Sequence, residues 1–166
     1  MKTSEKVIFI SNWIKNYVEK MPNKAKSLVI GISGGIDSSV SSTLSAMTGL
    51  KTIILSMPIK QKKTQHDLSL KHQKWLVDNF KNVEAHTVNL DSLFESFEKT
   101  LSNFNSEHGM ANSRARLRMS TLYQVAASNN GIVVGTGNKI EDFGVGFYTK
   151  YGDGGVDISP IADCNK

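Results

Sequence analysis

One short segment of the sequence combines glycines, serines and a carboxylate in a spacing suited to binding phosphate. Its residues are Gly31, Ile32, Ser33, Gly34, Gly35, Ile36, Asp37 and Ser38. Glycines let a backbone approach an anion closely, serine hydroxyls donate hydrogen bonds, and a helix that begins here adds free amides and the positive end of its dipole. The segment therefore predicts a phosphate-binding loop, called the phosphate loop (residues 31–38) below. It matches neither the mononucleotide pattern GxxxxGK[ST] nor the dinucleotide pattern GxGxxG.

The carboxylate in this loop needs a physical reason, because it would repel a bound phosphate. At a separation of about 4 Å and an effective dielectric constant near 20, the repulsion is about 4 kcal/mol. A magnesium ion between Asp37 and the phosphate removes this repulsion, since Mg²⁺ is commonly held by one or two carboxylates together with substrate phosphates. Capping of the following helix by Asp37 is the alternative role.

The arginines form a second candidate group. All three lie within five residues, at Arg114, Arg116 and Arg118. On a regular helix Arg114 and Arg118 share one face, whereas Arg116 points almost to the opposite side. One bound anion therefore cannot contact all three, and at least one arginine has another role. Pairing at the surface or at an interface is the alternative for Arg114 and Arg118.

The four histidines and the single cysteine show no spacing typical of a metal site or a catalytic triad. They are His66, His72, His86, His108 and Cys164. The net charge of +5 is modest, and the arginines do not alternate with aromatic residues along the chain, so nucleic-acid binding is disfavoured.

Strands and helices alternate in the sequence, and this order places the phosphate loop directly after the first strand. Short apolar runs at residues 28–32, 52–57, 83–90 and 131–135 predict strands. Amphipathic spacing predicts helices at residues 4–19, 64–79, 93–101 and 112–128, with a further helix after the phosphate loop. The alternation predicts an α/β fold with an open, mainly parallel sheet and helices on both faces. Ligands in such sheets bind at the carboxyl ends of the strands.

The last part of the chain differs in composition. Eight of the 13 glycines lie between residues 131 and 155, among acidic, basic and aromatic residues. This composition disfavours a helix or a central strand. Disorder is the alternative, but the specific order of apolar and charged residues in 143–161 favours an ordered binding loop.

The phosphate loop resembles the SGGxDS loop of the N-type ATP pyrophosphatases, which split ATP between its α and β phosphates and transfer AMP to an acceptor. The resemblance implies that the loop binds the pyrophosphate part of ATP. It also implies a Rossmann-like fold of the adenine-nucleotide α-hydrolase type. The loop alone does not identify the acceptor, because synthetases for GMP, asparagine and NAD and several tRNA-modifying enzymes share it.

Three later segments narrow the resemblance to the ammonia-dependent NAD synthetases. They are residues 111–119, 135–141 and 147–160, which read ANSRARLRM, GTGNKIE and FYTKYGDGGVDISP. The resemblance implies further ATP contacts at Thr136 and Lys166, contacts to deamido-NAD at Arg116, Lys150 and Asp157, and magnesium ligands at Asp37 and Glu141.

The reaction implied by the resemblance joins ammonia to deamido-NAD at the expense of ATP and gives NAD, AMP and pyrophosphate, with Mg²⁺ as cofactor. The family also implies a homodimer. Two alternatives stay open: another adenylating amidotransferase or tRNA-modifying enzyme with the same loop, and a non-catalytic nucleotide-binding module of the same fold.

The length and the single cysteine lead to two further expectations. The chain of 166 residues is expected to form one domain, residues 1–166, that lacks the C-terminal segment of the family. A single cysteine excludes an internal disulfide, and the sequence contains no signal peptide or membrane-spanning apolar run, so a cytoplasmic location without membrane contact is expected.

Overall fold

Alternating strands and helices build the molecule, as seen in a computed structural model that describes residues 2–165. The helices are α1 (Thr3–Lys20), α2 (Ile36–Met47), α3 (Lys63–Asn79), α4 (Asp91–Thr100) and α5 (Glu107–Ser128). The strands are β1 (Ser27–Gly31), β2 (Thr52–Ser56), β3 (Val83–Thr87) and β4 (Gly131–Val133). A 3₁₀ turn at Ser102–Phe104 precedes α5, and a π-helical turn at Ile140–Val145 follows β4.

The four strands form one parallel sheet in the order β3-β2-β1-β4. The chain first builds outward from β1 through β2 to β3 and then returns to add β4 on the other side of β1. The carboxyl ends of β1 and β4 therefore enclose the point where the strand order reverses. In open parallel sheets this crevice is the usual ligand site.

Side chains that alternate along the strands form one apolar layer on each face of the sheet. Leu28 and Ile30 of β1 point to one face, where they pack in a cluster that includes Ile14 of α1. Val29 points to the other face, in a cluster that includes Phe94 of α4. Helices α1, α2 and α3 cover the first face, and α4 and α5 cover the second. The predicted α/β fold with helices on both faces is confirmed.

Several predicted boundaries were wrong. The third strand ends at Thr87 rather than at residue 90, and β4 ends at Val133, although Val134 still pairs with Ile158 in an isolated parallel bridge. Helix α5 begins five residues earlier than predicted, because the side chain of Ser106 accepts a hydrogen bond from the Gly109 N–H and caps the helix. The glycine-rich segment expected to be loop contains the π-helical turn.

Within residues 2–165, no helix is both long enough and apolar enough to cross a lipid bilayer.

Candidate active site

The phosphate loop is folded by hydrogen bonds among its own serines and glycines. Ser38 Oγ donates to the Gly35 carbonyl oxygen at 3.0 Å and accepts from the Ser33 N–H at 3.2 Å. Ser33 Oγ accepts from the Gly35 N–H at 3.2 Å. Helix α2 begins directly after Gly35, and its first intrahelical bond is donated by Ser39. The backbone amides that precede Ser39 in this helix lack intrahelical acceptors and are available to an anion.

The start of α3 packs against this loop and leaves room only for glycine at its tightest point. Gly34 has a φ of +85°, and a Cβ atom at this position would lie 2.6 Å from the Gln65 carbonyl oxygen. Gln61, just before α3, donates from Nε2 to the Ser33 carbonyl oxygen at 3.2 Å. The shape of the phosphate loop therefore depends on the neighbouring helix as well as on its own sequence.

A cavity lies between the phosphate loop and the segment after β4, at the reversal point of the sheet. Its lining residues are Ser33, Gly35, Asp37, Ser38, Thr136, Gly137, Glu141, Asp142, Phe147 and Asp153. The structure thus brings together Asp37, Thr136 and Glu141, which the sequence placed in ATP and magnesium binding. The cavity measures about 170 Å³, less than the roughly 300–1,000 Å³ typical of sites that enclose a whole ligand. Its size suits a phosphate group and a counter-ion.

Four carboxylates line this cavity, two more than the sequence analysis identified. Burial raises the pKa of Asp142, and the negative charges of Asp153, Glu141 and Asp37 raise it further. No Lys, Arg or His side chain is among the described residues in the lining. Asp142 could have been found from sequence because it directly follows Glu141. Asp153 could not, because only the fold brings it to the same cavity.

The donor set fits a cation that completes its coordination with ligand phosphates. Carboxylate oxygens are the ligands that Mg²⁺ prefers, and Mg²⁺ is usually bound by one or two carboxylates plus phosphates rather than by an all-protein cage. Among residues 2–165, no group of three or more His, Cys, Asp or Glu side chains is arranged to hold a metal ion by itself. Asp37 and Glu141 follow different strands of the sheet, and together they could supply the one or two carboxylates that hold Mg²⁺ beside ligand phosphates.

Glu141 is positioned by a buried asparagine that the sequence analysis did not identify. Asn138 is 1% exposed, and its Oδ1 accepts from the backbone N–H groups of Ile140 and Glu141, both at 3.0 Å. These bonds cap the π-helical turn at its start. Asn138 is buried by tertiary packing, so its role could not be predicted from the sequence.

Of the residues expected to contact deamido-NAD, Arg116 lies on α5, and Lys150 and Asp157 lie in a later segment that α5 contacts. Arg116 donates from Nε to the Lys150 carbonyl oxygen at 3.1 Å, and the Lys150 ammonium lies 5.1 Å from the centre of the Tyr151 ring. Asp157 is exposed, and its carboxylate accepts a hydrogen bond from the Val133 N–H of β4. Arg116, Lys150 and Asp157 lie outside the described cavity lining, although Asp153 of the same segment is part of it. Lys166, expected to contact ATP, lies outside the described residues.

The other two arginines of α5 have separate partners within the chain. Arg118 donates from Nε to the Met57 carbonyl oxygen at 2.9 Å, and burial lowers the pKa of its guanidinium. The Arg114 guanidinium lies 5.6 Å from the centre of the Phe94 ring. In these contacts the three arginines have three different partners, in line with the expectation that no single anion uses all of them.

Comparisons with known proteins agree on one family. The family model described as NAD synthase matches residues 7–166. The NH(3)-dependent NAD(+) synthetase of Mesoplasma florum is 39% identical, over 100% of this chain and 66% of the relative. The enzyme of the same description from Staphylothermus marinus is 38% identical, over 95% of this chain and 56% of the relative. The chain thus spans between about half and two thirds of the length of these curated relatives.

Solved structures show the same fold. The NMN synthetase of Francisella tularensis superimposes with a TM-score of 0.90 at 34% identity, over 100% of this chain and 67% of that protein. The NH3-dependent NAD synthetase of Campylobacter jejuni, solved with nitrate ion, gives a TM-score of 0.88 at 30% identity, over 100% of this chain and 69% of that protein.

Proposed function

Since this chain belongs to the NAD synthase family, we propose that it forms the ATP-binding part of an enzyme that amidates deamido-NAD with ammonia to give NAD, the last step of NAD biosynthesis. The cavity between the phosphate loop and the Glu141 segment carries this proposal, because glycines and serines of the loop line it together with four carboxylates at the reversal point of the sheet. ATP is the co-substrate, and the cytoplasm is the expected location.

The reaction has two steps. The carboxylate of deamido-NAD attacks the α phosphorus of ATP, which forms an acyl adenylate and releases pyrophosphate. Ammonia then attacks the acyl carbon, the bond to AMP breaks, and the amide loses a proton to give NAD. Neither step needs a nucleophile from the protein, so the required contributions are positioning and charge stabilisation.

The phosphate loop supplies the contacts to the departing pyrophosphate. Gly35, Asp37 and Ser38 line the cavity at the start of α2, where free backbone amides and the positive end of the helix dipole would bind phosphate oxygens. Thr136, three residues after the end of β4, also lines the cavity and would add a hydroxyl group there. Lys166 is expected to add a positive charge to the same phosphates.

Mg²⁺ is the cofactor that fits this site, with Asp37 and Glu141 as its protein ligands. The bound ion would neutralise charge on the phosphate oxygens during adenylation. The carboxylates at Asp142 and Asp153 add negative charge to the same cavity, and this charge favours a cation there.

Deamido-NAD is expected to bind along α5, at Arg116, Lys150 and Asp157. Exposed apolar side chains are frequent in the preceding and adjoining residues of the chain, at Phe143, Val145, Phe147, Tyr148 and Tyr151. Exposed apolar groups of this kind are typical of interfaces and support the expected homodimer, with the dinucleotide near the subunit boundary.

Incubation of the chain with ATP, Mg²⁺, ammonium and deamido-NAD tests the proposal. We expect equimolar NAD, AMP and pyrophosphate from the wild type and no product from Asp37→Asn. ATP binding by a folded chain that forms no NAD would support the non-catalytic alternative for the chain on its own. Pyrophosphate release with a different acceptor would favour another adenylating enzyme.

A mononucleotide acceptor is the competing substrate, because the structure of the Francisella tularensis protein is described as that of an NMN synthetase. The same assay with nicotinate mononucleotide in place of deamido-NAD separates the two. We expect a higher kcat/KM for the dinucleotide; the opposite ratio would assign the chain to NMN synthesis.

A further inference from the structure

The segment 149–157 is hydrogen-bonded at its start to one face of α5. Thr149 Oγ1 donates to Asn112 Oδ1 at 2.8 Å. One helical turn later, Arg116 donates to the backbone carbonyl of Lys150 at 3.1 Å. Residues four apart on a helix lie on the same face, so α5 offers this segment a row of contacts.

The end of the segment is held more firmly, at Asp157. Tyr123, on the same face of α5, donates its hydroxyl to Asp157 Oδ1 at 3.1 Å. The Val133 N–H of β4 donates to Oδ2 at 2.7 Å, and the Asp157 N–H donates to the Val133 carbonyl oxygen at 3.1 Å. Both carboxylate oxygens thus accept hydrogen bonds from the chain itself.

The Tyr123 hydroxyl stays protonated and donates the hydrogen bond in this contact. Burial and the neighbouring carboxylate raise the pKa of Tyr123 to about 12, so its hydroxyl keeps its proton at neutral pH. Hydrogen bonds to a charged acceptor are about twice as strong as neutral ones. The Tyr123 hydroxyl therefore restricts the rotation of the Asp157 carboxylate and fixes the end of the segment.

We propose that Tyr123 is a positioning residue for the dinucleotide substrate: by holding Asp157 against α5 and β4, it fixes the 149–157 segment that presents Lys150 and Asp157. This inference rests on the proposed function, in which these two residues contact deamido-NAD. Neither Tyr123 nor Asp157 is among the described residues that line the phosphate cavity, and of the 149–157 segment only Asp153 is in that lining. The loss of the Tyr123 hydroxyl should therefore weaken dinucleotide binding more than ATP binding.

The variant Tyr123→Phe removes the hydroxyl and keeps the ring. We expect faster hydrogen–deuterium exchange of the amides in residues 149–157 and an increase of about tenfold in the Kd and KM for deamido-NAD, the scale of one lost hydrogen bond to a charged group. The Kd for ATP with Mg²⁺ should change less than the Kd for deamido-NAD, because only Asp153 of this segment lines the phosphate cavity. Tyr17→Phe, which removes an exposed phenol from α1, is the matched control and should change none of these values.

Two results would overturn the positioning role. Unchanged exchange in residues 149–157 would show that the hydroxyl does not hold the segment. Equal losses of ATP and deamido-NAD affinity would show a general structural effect instead of one on the dinucleotide. If the wild type neither binds nor converts deamido-NAD, the proposed function fails and the substrate role of Tyr123 fails with it; the exchange measurement then still reports whether the contact holds the segment.

Discussion

Replacement of Gly34 by alanine should disrupt the phosphate loop for two separable reasons. The residue has a φ of +85°, a conformation that costs an alanine about 1–2 kcal/mol. The added Cβ would also lie 2.6 Å from the Gln65 carbonyl oxygen and 3.2 Å from the Ser69 backbone nitrogen. Both contacts are with backbone atoms of α3, so the clash cannot be relieved by a side-chain rotation, and overpacking of this kind costs about 1–3 kcal/mol more.

Gly49 provides a control for the backbone cost alone. Its φ is +76°, and a Cβ atom there would meet nothing within 4 Å. Gly49→Ala should therefore lose about 1–2 kcal/mol of unfolding free energy, whereas Gly34→Ala should lose about 2–5 kcal/mol. Urea denaturation measures both values, and titration with ATP and Mg²⁺ measures the effect on the site.

The two variants should differ most in nucleotide binding. Displacement of α3 from the phosphate loop moves the loop amides, so we expect at least a tenfold loss of ATP affinity in Gly34→Ala and nearly wild-type affinity in Gly49→Ala. Equal stability and equal ATP affinity in the two variants would refute the argument that α3 shapes the loop through this contact.

Two further predictions concern side chains away from the cavity. Arg118→Ala should destabilise the fold by about 1.5–3 kcal/mol, since it removes a charged donor from a partly buried backbone carbonyl, whereas Arg114→Ala should cost only about 0.5–1 kcal/mol for its cation–π contact; urea midpoints that rank the two in the opposite order would contradict the structure. Burial lowers the pKa of His72 from its ordinary value of 6.5, and its ring lies 2.9 Å from Ser42 Oγ. The neutral ring therefore contributes stability above pH 6.5 that is lost as the pH falls through the lower folded-state pKa. His72→Gln should show a smaller loss of stability than wild type between about pH 8 and pH 5, and an unchanged slope would contradict this assignment.

The strands and the order of elements could be predicted from sequence because each buried strand is a short apolar run. In β1, for example, Ile30 packs in the apolar cluster on one face of the sheet and Val29 in the cluster on the other. Boundaries were less predictable where a single contact decides them. The cap at Ser106 extends α5, and no periodic signal marks it.

The phosphate loop and Glu141 could be singled out from motifs, and the structure brings them to one cavity; their roles in phosphate and metal binding stay predictions. Asn138, Asp153 and Tyr123 could not be singled out in this way. Their contributions depend on burial and on contacts between segments distant in sequence. Asparagine, aspartate and tyrosine are also common at exposed positions, so only the fold distinguishes these residues from others of their type.

The charge distribution of the cavity leads to a prediction about metal dependence. The chain has a net charge of +5, yet four carboxylates and no cationic side chain of the described residues line the cavity. Without a cation, Asp37 should repel a bound phosphate by up to about 4 kcal/mol at a separation near 4 Å. ATP should therefore bind at least tenfold more weakly in EDTA than with Mg²⁺, as measured by calorimetry.

Neutralisation of Asp37 should then act in opposite directions under the two conditions. With Mg²⁺, Asp37→Asn loses a metal ligand and should bind ATP more weakly than wild type. In EDTA the same variant loses a repulsive charge and should bind ATP more tightly than wild type. Asp78→Asn, which removes the same charge from an exposed pair with Lys74 on α3, should show neither change. A helix-capping role for Asp37 predicts weaker binding under both conditions, because a disturbed start of α2 would impair the loop amides whether or not a metal is present. The sign of the effect in EDTA therefore decides between the two roles.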